Sequence, residues 1–223
     1  MSTLELNPND YIITKKRKKY KFALFANSPI CFELDEWVAR LKDSAISGPL
    51  VLELGAGTGL FSVELATRYS NKTFIAVDVK ADRLQKGAAL AVQNGLTNIF
   101  FVRARADQLG DITAPESLES LWITFPDPFP KKRAERRRMT HAHYLAQYKD
   151  VLSKDGALYL KHDNRDFFMW SLEQIVASNW HITELSFDLH DSEFADDYKI
   201  HTTYEKRWLG EGLVTNFVKA QRP

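Results

Sequence analysis

A chain of 223 residues, 44% hydrophobic and 12% aromatic, can bury one substantial core and is short for two full domains. No apolar run approaches the ~20 residues of a membrane span, and the opening MSTLELNPNDY has no basic-then-apolar leader pattern, so a soluble, cytoplasmic protein is expected. The net charge of +1 hides two basic segments, Lys15 to Lys21 and Lys131 to Arg138, which hold 12 of the 30 basic residues; without them and Glu135, 18 basic residues face 28 acidic ones. Two such patches on an acidic body suit a polyanionic partner. The single cysteine, Cys31, has no disulfide mate in the chain and reads as a free thiol, buried or half-buried, and no Cys/His cluster has metal-ligand spacing.

Residues 1 to 21 are polar and basic without clear periodicity and read as a flexible arm; residues 22 to 223 read as one domain. LDEWVARL (34–41) has helical spacing. LVLEL (50–54) is a short apolar strand running into a glycine turn and the helical pattern LFSVELATRY. The alternation continues with TFIAVDV, ADRLQKGAALAVQNG, NIFFVRA, SLWITF, a helix near 140–152, GALYLKHD, a helix near 166–177, HITELSFDL and LVTNFVKA. Strands separated by helices predict an α/β fold, a doubly wound and mainly parallel sheet of seven strands with helices on both faces and an antiparallel C-terminal strand. Ligands of such sheets bind at the carboxyl ends of the strands.

Four strand ends carry an acid: Glu53 with Gly55, Gly57 and Gly59, then Asp78, Asp107 and Asp127. A dinucleotide fingerprint would need glycine where Leu60 stands. ELGAGTG with Asp78 some way downstream instead resembles the cofactor site of class I S-adenosylmethionine-dependent methyltransferases, whose fold is Rossmann-like. That resemblance implies a glycine loop against the methionine part of the cofactor, Asp78 accepting from the ribose hydroxyls and Asp107 from the adenine amine.

FPDPFPKKRAERRR (125–138) resembles the F-P-D-P-W-P-K-K-R-H signature of the tRNA (guanine-N7-)-methyltransferase family, with Phe129 for tryptophan and Ala134 for histidine. LKHDNRDF and HTTYEKRW resemble two further family segments. The resemblance implies methyl transfer from S-adenosylmethionine to a guanosine N7 in the variable loop of tRNA. It assigns Asp127 to the catalytic position and to the cofactor side, and Lys131, Asp163, Thr202, Thr203, Tyr204 and Glu205 to substrate. Arg133, Arg136, Arg137 and Arg138 would bind the RNA backbone. No DNA or membrane partner is expected, and a monomer and a homodimer are both compatible with the sequence. His141 and His143 read as surface or packing residues, Trp122 and Phe125 as core, and Arg165 and Asp166 as a helix start and cap. A class I methyltransferase of another RNA, a protein or a small molecule, and a non-catalytic RNA-binding relative, stay open at this point.

Overall fold

The computed structural model describes residues 16–43, 46 and 48–223. A three-residue strand, β1 (Cys31–Glu33), precedes β2 (Leu50–Leu54), β3 (Thr73–Asp78), β4 (Ile99–Arg103), β5 (Leu118–Thr124), β6 (Leu152–His162), β7 (His181–Ser186) and β8 (Asn216–Gln221). The helices are α1 (Lys16–Ala26), α2 (Leu34–Asp43), α3 (Leu60–Arg68), α4 (Ala81–Gln93), α5 (Leu109–Ile112), α6 (Ala142–Val151), α7 (Arg165–Ala177) and α8 (Thr203–Trp208). One sheet holds all eight strands in the order β1-β4-β3-β2-β5-β6-β8-β7. Pairing is parallel from β1 to β6, and β8 runs antiparallel to both β6 and β7.

The seven strands expected are present, and an eighth, β1, adds a parallel edge beside β4. Three residues are too few to display a period-two pattern, so β1 is invisible to sequence periodicity. The central strands read as continuous apolar runs because both of their faces are covered: β2 is buried at all five positions. Leu52 and Leu54 face a core with Trp37, Leu145 and Phe168, while Val51 faces Phe61, Leu84 and Phe101. Trp37 is fully buried and its indole N–H donates to the Ile112 carbonyl at 2.8 Å, the polar outlet that a buried indole requires.

Two boundaries differ from the sequence reading. The arm was expected to run to residue 21, but α1 begins at Lys16, because Ala23 and Phe25 bury against the body and hold the helix in place; residues 1–15 lie outside the described residues. The cap of α7 is Asn164, whose side chain accepts from the Phe167 N–H at 2.8 Å, and not Asp166. Cys31 is buried, and burial pushes its thiol up to about 12.

Sequence order runs outward from β2 through β3 to β4 and then returns to β5 on the other side of β2. That reversal opens a crevice at the carboxyl ends of β2 and β5.

Candidate active site

Past Leu54 the backbone turns left-handed three times, at Gly55 (φ 75°), Gly57 (φ 58°) and Gly59 (φ 68°), a path that side chains with a β-carbon resist. The loop is stitched to β3: the N–H groups of Gly55 and Ala56 donate to the Val77 carbonyl at 2.8 and 2.9 Å, and that of Gly57 donates to the Asp78 carboxylate at 2.8 Å. The other Asp78 oxygen accepts from the Lys80 N–H at 2.8 Å. A glycine that the sequence reading passed over completes the arrangement. A β-carbon on Gly87 of α4 would lie 2.3 Å from the Thr58 carbonyl, so the loop rests directly on that helix. Its signal was present, a glycine inside an otherwise good helical pattern.

A cleft of about 530 Å³ opens in front of this loop, lined by Glu53, Gly55, Gly57, Asp127, Thr203 and Tyr204 among others. This volume lies within the range of small-molecule sites. Glu53 forms its floor. It is 2% exposed and accepts from Ser62 Oγ at 2.6 Å and from Thr124 Oγ1 at 2.8 Å. Burial raises its carboxyl to about 7, against the pull of those two hydrogen bonds.

Asp127 is exposed and faces the cleft. Its loop starts at Phe125 (φ 51°) and ends at Phe129 (φ 41°), both in the region a β-carbon disfavours. Lys131 is exposed beyond the cleft, just before a 3₁₀ turn spanning Lys132–Arg137 that carries the exposed Arg133, Arg136 and Arg137. The Arg137 guanidinium lies over the Phe129 ring at 4.3 Å. Arg138, expected with this RNA-binding group, is instead buried: its guanidinium donates to the carbonyls of Pro128 (2.9 Å) and Phe129 (3.1 Å) and packs on Trp170 at 4.3 Å. A cation run in sequence does not reveal which member turns inward.

The segment HTTYE divides in the same way. Thr202 and Glu205 form a capping box for α8, the Thr202 N–H donating to Glu205 at 2.7 Å and the Glu205 N–H to Thr202 Oγ1 at 3.1 Å. Glu205 is fully buried, and its carboxylate meets Lys161 Nζ at 3.0 Å and His190 Nε2 at 3.1 Å. Both residues were expected at the substrate. In this structure Thr202 caps the helix and also lines the cleft, Glu205 is turned away to Lys161, and Thr203 and Tyr204 are exposed at the cleft. Thr203 Oγ1 lies 2.8 Å from Thr58 Oγ1, so α8 meets the glycine loop across the cleft. Tyr204 donates to Asp163 at 2.9 Å, which puts that carboxylate at the rim.

Asp107 stands apart from this cluster. It sits on a 3₁₀ turn, Ala106–Gln108, and pairs with Arg105, whose Nε donates to it at 2.9 Å. Phe125, expected in the core, is half-buried and lines the cleft, while Trp122 is buried as expected. His141 caps α6 through its ring, which accepts from the His143 N–H.

A family model described as "Putative methyltransferase" matches residues 47–216. The chain is 34% identical over 220 residues to the tRNA (guanine-N(7)-)-methyltransferase of Bacteroides thetaiotaomicron, covering 93% of this chain and 86% of that one. It is 32% identical over 192 residues to the enzyme of the same name from Brevibacillus brevis, covering 86% and 87%. Among solved structures it resembles the 16S rRNA methyltransferase KamB (TM-score 0.60, 13% identity, covering 83% of this chain and 94% of that one). A 30S ribosomal A1408 methyltransferase from an uncultured bacterium is similar at TM-score 0.59 and 16% identity, covering 86% and 95%. Those two likenesses concern the fold alone. Taken with the glycine loop, the acidic strand ends and the F-P-D-P segment, the family match and these relatives establish that the chain belongs to the tRNA (guanine-N(7)-)-methyltransferase family.

Proposed function

We propose that the protein transfers a methyl group from S-adenosylmethionine to N7 of a guanosine in tRNA, as the names of its relatives indicate. The observation that carries this reading is the meeting of Asp127, Tyr204 and the Gly55–Gly59 loop on one cleft. The cleft suits that cofactor. Among the described residues, none beyond its two chain neighbours comes within 4 Å of where a Gly57 β-carbon would stand, leaving room for a ligand against the backbone. Asp78 supplies a carboxylate beside the loop, suited to a pair of ribose hydroxyls.

When bound, S-adenosylmethionine supplies an electrophilic methyl group on a sulfonium. Guanine N7 has a lone pair and no proton, so the chain need not provide a general base; it must align the base and tolerate positive charge on the purine. Asp127 offsets that charge from the mouth of the cleft. Phe125 and Tyr204, with ring centroids 5.0 Å apart, offer an apolar wall for a purine. Asp163 at the rim can accept from guanine N1–H and its 2-amino group, a donor pair that adenine lacks. Lys131, Arg133, Arg136 and Arg137 meet the RNA backbone outside the pocket, so their contribution is salt-sensitive and blind to sequence. A loop guanosine costs less to extrude than a paired one. Asp107, paired with Arg105 in this structure, would accept from the adenine amine of the cofactor. We read residues 16–223, with α1 included, as one catalytic domain acting in the cytoplasm as a monomer or homodimer, with no DNA or membrane partner; among the described residues no helix is long and apolar enough to cross a membrane.

Incubation with S-adenosylmethionine and unmodified tRNA transcripts, digestion to nucleosides and mass spectrometry should yield 7-methylguanosine. Asp127→Ala should abolish it with cofactor affinity held, whereas Asp78→Ala should weaken the cofactor first. Methylation by Asp127→Ala at the parent rate would remove Asp127 from the chemistry.

A further inference from the structure

The loop that carries Asp127 is strained at both ends and held at both ends. Phe125 and Phe129 have φ of 51° and 41°, a conformation that persists only where the surroundings enforce it. Pro126, Pro128 and Pro130 have no N–H to donate; the Phe125 N–H donates to the Lys161 carbonyl at 2.9 Å, and beyond it the segment is gripped through its carbonyls. Two buried side chains do this. His162, 3% exposed, places Nε2 at 2.9 Å from the Pro126 carbonyl. Its Nδ1 lies 3.3 Å from an Asp163 carboxylate oxygen and accepts from the Asn164 N–H at 2.8 Å; a carbonyl can only accept, so with Nδ1 accepting the ring proton is on Nε2, facing Pro126. Arg138, 7% exposed, donates to the Pro128 and Phe129 carbonyls at 2.9 and 3.1 Å and is clamped on Trp170. One group therefore grips the carbonyl before Asp127 and the other grips those after it, and neither lines the cleft.

We infer that His162 and Arg138 are positioning residues for Asp127: they hold the strained loop in the shape that aims its carboxylate into the cleft, and so govern the methyl-transfer step without adding to the binding of either substrate. The inference rests on the methyl-transfer reading above.

The test compares His162→Leu, His162→Gln, Arg138→Met and Arg138→Lys with the parent protein. The measurements are 7-methylguanosine formation under steady-state conditions, cofactor affinity, the salt dependence of KM for tRNA, thermal midpoint, and hydrogen exchange at the Asp127 and Phe129 amides. A displacement of about 1 Å at a reacting group can cost on the order of 100-fold, so His162→Leu and Arg138→Met should each lower kcat by about tenfold or more. KM for tRNA, its salt slope and cofactor affinity should stay within about twofold, the pattern of a loss confined to the transition state. The two amides should exchange faster. His162→Gln, which keeps a donor, should recover most of kcat, and Arg138→Lys, which cannot bridge two carbonyls equally well, should fall between the parent and Arg138→Met. If Arg138→Met raises KM for tRNA, flattens its salt slope and keeps kcat, Arg138 is an RNA contact and the inference fails. A lowered thermal midpoint with kcat unchanged reduces both residues to packing and also overturns it. An inactive parent would overturn the methyl-transfer reading instead, and the exchange data would still decide whether the two side chains hold the loop.

Discussion

Replacing Lys161 by methionine should destabilise the protein by about 3–5 kcal/mol, the cost of leaving a buried charge without its partner. The Lys161 and Glu205 side chains are both fully buried and meet at 3.0 Å. The ammonium also donates to the Ile200 carbonyl at 2.9 Å. Methionine fills a similar volume, so little of the loss would come from a cavity. What remains is a carboxylate with neutral donors only, the Thr202 N–H and Thr215 Oγ1, and His190 at the edge. For a chain of this size the change corresponds to a fall in thermal midpoint of about 6–20 °C. Urea unfolding of Lys161→Met, Glu205→Gln and the double variant measures the pair. Glutamine still accepts in the capping box, so the double variant should cost much less than the sum of the singles. A Lys161→Met cost below about 1 kcal/mol, or additive costs in the double variant, would refute the view that this pair is the dry joint between β6 and α8.

Three further outcomes follow from the geometry. Gly87→Ala should weaken cofactor binding in calorimetry and lower stability: the clash with the Thr58 carbonyl, about 1–3 kcal/mol of overpacking, meets or exceeds the ~1 kcal/mol that alanine gains in a helix. Glu53 holds its proton more tightly in the folded protein, at about 7 against an ordinary 4.5. Its stabilisation is therefore complete below about pH 4.5 and is lost as pH rises through about 7, an amount on the order of 3 kcal/mol; urea midpoints at pH 5 and pH 8 should differ less for Glu53→Gln than for the parent. Replacing Arg133, Arg136 and Arg137 together by serine should reduce the slope of log affinity for tRNA against log salt by about 2 to 3, measured by fluorescence anisotropy, with cofactor affinity unchanged.

The fold was legible because its central strands are buried on both faces and so appear as apolar runs, each followed by a helical pattern. The glycine loop was legible because left-handed backbone selects glycine. Harder to see was the allocation of polar residues within a motif. Arg138 looks like its neighbours Arg136 and Arg137, yet tertiary packing turns it inward to two carbonyls. Thr202 and Glu205 fall on a segment that resembles a substrate motif, but an S/T-x-x-E spacing also makes a capping box; the fold forms that box and buries Glu205 in it, while Thr202 still lines the cleft. Lys161 lies in a strand whose alternation suggests an outward side chain; its partner Glu205 is 44 residues away, beyond the reach of any local pattern.

The hydroxyl pair Thr58 and Thr203 joins the glycine loop to α8, and it makes the two halves of the cleft thermodynamically dependent on each other. A ligand that displaces either hydroxyl alters what the other half must give up on binding. A neutral hydrogen bond worth about 0.5–1.5 kcal/mol sets that coupling at about two- to tenfold. Linkage makes it symmetric: the factor by which the cofactor changes affinity for tRNA is the factor by which tRNA changes affinity for the cofactor, whichever arrives first.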